Sequence, residues 1–121
     1  MSKYFDMHGL PITYTQWLER FEDNSRIIGK SEIDGVMVST VWLGLRHGTD
    51  DEGNPYIFET MAFNSIGEEV WVNRYTSLQD ALQGHLDTID KYVLQALRFR
   101  FGMIDTEDMF DKIDRYLDDG N

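Results

Sequence analysis

Apolar and polar positions change their spacing several times along the chain, and each change marks an element. Between Thr13 and Asp23 the apolar residues Trp17, Leu18 and Phe21 fall on one side, with Glu19, Glu22 and Asp23 turned to water. That is the spacing of a short amphipathic helix capped by Thr13 or Thr15. From Arg26 to Ile33 the pattern becomes that of a strand, and it stops at Asp34-Gly35, a strong two-residue hairpin signal. The next strand, Val36 to Leu45, is apolar on both alternations. Val36, Val38, Thr40 and Trp42 point one way and Met37, Ser39, Val41, Leu43 and Leu45 the other, as expected of a central strand covered on both faces.

A polar, glycine-containing stretch from His47 to Pro55 reads as an exposed loop, followed by a third strand over Tyr56 to Phe63. Asn64-Ser65-Ile66-Gly67 reads as a turn and Glu69 to Tyr75 as the fourth strand, so short connections predict an antiparallel meander. Ser77 with Asp80 resembles a capping box. Behind it Leu78, Ala81, Leu82, His85, Ile89, Tyr92, Val93 and Ala96 recur at helical spacing to about Arg98, and the stripe expected to face the sheet is Leu82, His85, Ile89 and Val93. Gly102 ends this pattern, and Thr106 caps a last predicted helix with apolar positions Met109, Phe110, Ile113, Tyr116 and Leu117. The predicted fold is a single α+β domain over residues 1–121. A four-stranded antiparallel sheet carries a short N-terminal helix, a long helix packed on it, and an acidic helical extension over 100–121.

Composition narrows the chemistry. There are 121 residues, no cysteine, and 22 acids against 11 basic residues, a net charge of −11. The missing thiols exclude a disulfide framework and any thiolate nucleophile or metal site. Such a charge disfavours nucleic acid and anionic membranes as direct partners and favours a basic protein surface. Seven Phe, six Tyr and three Trp are too many apolar anchors for a disordered chain. The N-terminus has neither the basic region nor the apolar run of a signal peptide, and no stretch approaches the roughly 20 apolar residues of a membrane span, so a cytoplasmic location is expected.

The runs Val38-Ser39-Thr40-Val41-Trp42-Leu43-Gly44-Leu45-Arg46-His47, Pro55 to Phe63, Tyr75-Thr76 and Ala81-Leu82-Gln83-Gly84-His85, in that order, resemble small uncharacterised proteins of tailed bacteriophages and prophages. The likeness spans about Tyr14 to Ile89 and departs at Arg46, where that family usually has Asp. It implies a phage origin, hence the cytoplasm of an infected host, and brings no catalytic residue with it.

Several side chains invite a chemical reading. His47, Glu59 and His85 would have to converge to form a metal or acid–base site, with no second acid, lysine or nucleophile beside them. The register in which Arg46 and Tyr56 bracket the loop sets Glu59 opposite Leu43, on a face shared with Ser39, Leu45 and Met61. On that register a structural polar pair between Glu59 and His85 is expected, fixing helix to sheet. Asp50, Asp51 and Glu52 lack the alternating spacing of an EF-hand loop and read as an exposed acidic tip suited to a basic partner. Over 101–121 seven acids stand against two bases, and Asp108, Asp111, Asp114 and Asp118 recur along one ridge of the predicted helix. Carboxylates every 4.5–6 Å or so come within reach of nucleic-acid phosphate spacing, which permits a DNA mimic antagonising a nucleic-acid-binding host or defence factor, as well as an ordinary solvated face. The interleaved Arg98-Phe99-Arg100-Phe101 is too short a basic run to outweigh the overall charge. No phosphate-binding glycine loop, nucleophile elbow or zinc signature is present. The expectation is a non-enzymatic accessory protein with no cofactor, acting through acidic surface on a host or phage protein. The alternatives are an assembly protein, or a small-ligand or metal-dependent enzyme using Glu59, His85 and His47.

Overall fold

A computed structural model describes residues 2–100, with side chains through 92. The predicted acidic helix beyond Gly102 lies outside the described residues. Within them the order is β1 (Tyr4–Phe5), β2 (Pro11–Ile12), α1 (Tyr14–Glu22), a 3-10 turn (Asn24–Arg26), β3 (Ile27–Ile33), β4 (Val36–Trp42), β5 (Phe58–Phe63), β6 (Glu69–Tyr75) and α2 (Leu78–Arg100). Strands β3 to β6 form the antiparallel four-stranded sheet in sequence order, and β1 pairs with β2 in a separate two-stranded ribbon. The fold is α+β, as the alternation of periods predicts.

Local chemistry sets the boundaries. Thr13 closes a reciprocal capping box on α1, its hydroxyl accepting from the Gln16 N–H at 3.2 Å while the Gln16 side chain accepts from the Thr13 N–H at 3.0 Å. Ser77 accepts the Asp80 N–H at 3.1 Å and starts α2. Asp34 and Gly35, at φ 48° and 82°, make the two-residue turn between β3 and β4.

Three further turns repeat one device, an Asx residue followed three positions later by glycine. Asp6, Asp50 and Asn64 each accept two backbone N–H groups through Oδ1, from residues two and four ahead, at 2.9–3.1 Å. The glycines Gly9, Gly53 and Gly67 take φ of 81°, 85° and 83°, the left-handed conformation that closes such a hairpin. The N-terminal member of this set makes the β1–β2 ribbon, which hydrophobic patterning does not reveal.

Strand β4 ends at Trp42 rather than Leu45, because the N–H groups of Leu43 and Gly44 both reach the Ile57 carbonyl, at 2.7 and 3.2 Å, and break the ladder. Register places Thr40 opposite Thr60 and Val41 opposite Glu59, two residues away from the expected Leu43–Glu59 pairing but with the same facing. The inner face carries the fully buried Val38, Thr40, Trp42, Phe58, Thr60 and Ala62. Helix α2 covers it with Ala81, His85, Thr88 and Tyr92, all buried. Leu82, expected in that stripe, is instead 47% exposed, while Ile89 packs partly buried beside Val38, Ala62 and Tyr92. The side chain of Val93 lies outside the described residues. The small residues Ala81 and Gly84 bring the helix close to the sheet, which rotates the larger Leu82 outward.

Helix α1 and the β1–β2 ribbon close one end of the core through Phe5, Trp17 and Phe21. Trp17 stacks on Phe21 at 4.9 Å and donates its indole N–H to the Leu43 carbonyl at 2.8 Å.

Candidate functional site

The most buried polar cluster sits between sheet and helix. Thr40 Oγ1 lies 2.7 Å from His85 Nδ1 and 2.6 Å from Thr60 Oγ1, and Ser31 Oγ lies 3.1 Å from His85 Nε2. Both ring nitrogens therefore meet a hydroxyl that can donate or accept, so the neutral imidazole is satisfied in either tautomer. Gly29 makes room for the ring, since a Cβ there would come within 3.0 Å of it. Burial holds His85 below its ordinary pKa of 6.5, because charging it would place a cation in the core. The cluster therefore works as a neutral polar lock. The residues the sequence analysis missed here are Thr40, Thr60 and Ser31, although the alternation that placed Thr40 among Val38 and Trp42 carried the signal for one of them.

The expected contact between Glu59 and His85 is not made. Glu59 lies on the outer face, paired across strands with Arg74, whose Nε donates to Glu59 Oε2 at 2.9 Å. Even-numbered residues of β4 face the helix and Glu59 pairs with the odd-numbered Val41, so the sheet stands between Glu59 and His85. His47 lies in the exposed loop, where it lines a cleft of about 260 Å³ with Tyr56, Val72, Asn73 and Arg74. His47, Glu59 and His85 thus do not converge, and among the described residues no group of three metal-ligating side chains forms.

Of the acidic loop, Asp50 is committed to the turn. Its carboxylate accepts from the N–H groups of Glu52 and Asn54 and from the Asn54 amide at 3.1 Å, and the bonds from Asn54 chiefly hold its pKa below the ordinary value. Asp51 and Glu52 are exposed at the tip. Asp108, Asp111, Asp114 and Asp118 lie outside the described residues.

A second concavity among the described residues was not legible from motifs. It is a cleft of about 450 Å³ between α2 and the edge strand β6, walled by Trp71, Asn73 and Tyr75 on the strand and by Asp80, Gln83, Gly84, Asp87, Thr88 and Lys91 on the helix. Its depth follows from the close approach of strand and helix, because a Cβ at Gly84 would collide with the Tyr75 phenol. Lys91 Nζ sits 3.6 Å from the Trp71 ring centroid at one end, and Asp80 and Asp87 are exposed along the helix wall.

Compared with family models, curated proteins and solved structures, the chain matches none. The chemistry must therefore be read from the side chains themselves. A cleft with two carboxylates and an amide pair has acceptors for cationic donors, while its own Lys91 occupies the π face of Trp71 and Gln83 donates to Asp87 at 2.9 Å. Among the described residues no helix is long and apolar enough to cross a membrane.

Proposed function

We propose that the protein is a non-enzymatic accessory protein that binds a basic surface on a host or phage protein, and that its target is a nucleic-acid-binding host or defence factor. The observation carrying this reading is the spread of exposed carboxylates: Asp51 and Glu52 at one loop, Glu68 and Glu69 at the β5–β6 turn, and Asp80, Asp87 and Asp90 along α2. With a net charge of −11 the molecule presents a negative field to any approaching partner. The likeness to phage proteins supplies a setting, the cytoplasm of an infected cell, in which disabling a nucleic-acid-binding protein is useful. Asp108, Asp111, Asp114 and Asp118 join the proposal from the sequence alone.

The test is capture of partners from infected-host lysate, followed by association kinetics with the purified partner between about 0.05 and about 0.5 M salt. Attraction between opposite fields predicts an on-rate that falls steeply with salt, and a similar fall when Asp108, Asp111, Asp114 and Asp118 are changed to Asn. A partner bound equally well across the salt range, and equally by the quadruple variant, would refute the proposal. An assembly role has one observation in its favour: Ile27, Val70 and Val72 on the outer face of the sheet are 39%, 45% and 41% exposed. Sedimentation at several concentrations reads that alternative directly.

A further inference from the structure

Both edges of the sheet carry a register break near the start of the strand and exposed charges, and they differ in that β6 borders the cleft walled by Asp80 and Asp87. On β3 the register breaks between Ile27 and Gly29, and the charged Lys30 and Glu32 are exposed on the strand, two devices that discourage pairing. On β6 the break lies opposite Ala62 and Phe63, near the strand's start, and the register from Trp71 to Tyr75 is regular, as it is from Gly29 to Ile33 on β3. Asn64 donates its N–H to Glu68 and Leu43 donates to Ile57, which fixes the even-numbered residues of β5 as those bonding towards β6. Their partners Trp71, Asn73 and Tyr75 bond inwards, leaving the main-chain groups of Val72 and Arg74 on the outer edge. Consistent with this, the Arg74 N–H is taken by its own neighbour, the Asn73 side chain, at 3.0 Å. A side-chain amide stands where the carbonyl of another strand would sit.

We propose that an extended basic segment of a partner protein adds to β6 as a fifth strand, seated in the cleft beside α2. The proposal deepens the reading of an acidic, partner-binding protein and rests on it. Main-chain bonds to Val72 and Arg74 supply affinity, and side chains on the helix side of the added strand enter the cleft. There Asp80 and Asp87 lie two helical turns apart, about 10.5 Å by helix rise. Side chains that share a face of a strand repeat every 6.7 Å or so, and the flexible stems of Lys or Arg span the difference. Lys91 over Trp71 already fills that ring face, which leaves Asp80, Asp87 and the strand edge to receive the basic segment. A second copy of this chain is a poor occupant of the edge, since it would bring Glu69, Asp80, Asp87 and Asp90 of both molecules together.

The probe is a fluorescein-labelled peptide of about ten residues alternating Lys and Thr, titrated with the full chain and read by anisotropy. Two N-methylated forms accompany it, one blocked at every Lys nitrogen and one at every Thr nitrogen. Strand addition uses alternate N–H groups, so one methylated form loses binding by about tenfold or more while the other binds like the parent. Val72→Pro removes an outward N–H that the sheet does not use and is expected to lower affinity by a similar factor, as is Asp80→Asn with Asp87→Asn. Absence of binding by the parent peptide, or equal binding by both methylated forms with unaltered protein, overturns the proposal. The second result would leave the acidic-surface reading standing, since charge alone would then hold the peptide. Failure of that reading shows separately, in the salt dependence of the purified partner.

Discussion

Thr40→Val removes one hydroxyl from the middle of the core and keeps the shape of the side chain. Thr40, Thr60 and His85 are 0%, 0% and 7% exposed, so water cannot replace what is lost. The change strips His85 Nδ1 and Thr60 Oγ1 of partners at 2.7 and 2.6 Å. Each buried polar group left unpaired costs about 1–3 kcal/mol, and the new methyl returns about 0.8 kcal/mol. The expected net loss is roughly 2–4 kcal/mol, a large part of the stability of a domain this size. In urea, with m of about 1–3 kcal/mol/M, the midpoint should fall by about 1–2 M at unchanged m. A variant apolar throughout, with Thr40→Val, Thr60→Val and His85→Leu together, should recover part of that loss, because no polar group is then left unpaired. A midpoint within about 0.2 M of the parent for Thr40→Val would refute the view that these hydroxyls hold the histidine.

Stability should fall with pH below about 6.5, where the unfolded chain protonates His85 and the folded one resists it; the contribution is complete above that value and lost as pH drops through the lowered folded pKa. Urea midpoints between about pH 7.5 and 5.5 measure the slope, and His85→Gln should flatten it. Gly84→Ala should destabilise in spite of alanine's helix preference of about 1 kcal/mol, since its methyl would meet the Tyr75 phenol; a raised Tm would contradict that packing. Leu82→Ala should cost under about 1 kcal/mol and Ile89→Ala distinctly more, measured by the same denaturation, because only Ile89 packs against the core. Asp50→Asn should keep the loop intact, as Asn64 does in the equivalent turn, whereas Asp50→Ala should open it to proteolysis between Thr49 and Pro55.

The strands and helices were legible because their periods are local properties. Asp34-Gly35, Ser77 and Thr13 state their roles in two or three residues, and the structure uses all three as turn or cap. The choice of sheet face for α2 was not local. Both alternations of β4 are apolar, and a helix stripe containing Leu82 fits either; what decides is the close fit of Ala81 and Gly84 against the inner face, a property of two elements together. That single ambiguity misplaced Glu59, which was expected beside His85 and lies on the other side of the sheet with Arg74. The β1–β2 ribbon escaped for the opposite reason: with two residues per strand it has no period to detect, yet Asp6 and Gly9 repeat the spacing of Asp50 with Gly53 and of Asn64 with Gly67. Counting turns rather than strands would have found it.

The same packing that hid the face of α2 also makes the cleft. Gly84 lets Tyr75 come against the helix, so the wall beside β6 is formed by Asp80, Gln83 and Asp87 rather than by leucines, and the outward leucines Leu82 and Leu86 fall away from it. An apolar wall would have drawn any exposed strand to β6, including another copy of this chain and unfolded host protein. A carboxylate wall penalises neutral and acidic strands through desolvation and repulsion, and leaves favourable entry chiefly to one that brings cations. Under the proposed reading the net charge has two effects with one sign: it would speed the approach of a basic partner and discourage pairing between the edges of two copies. If charge served solubility alone it could be placed anywhere on the surface. Asp80 and Asp87 instead wall the cleft beside an edge strand, and that placement is what the proposed strand addition draws on.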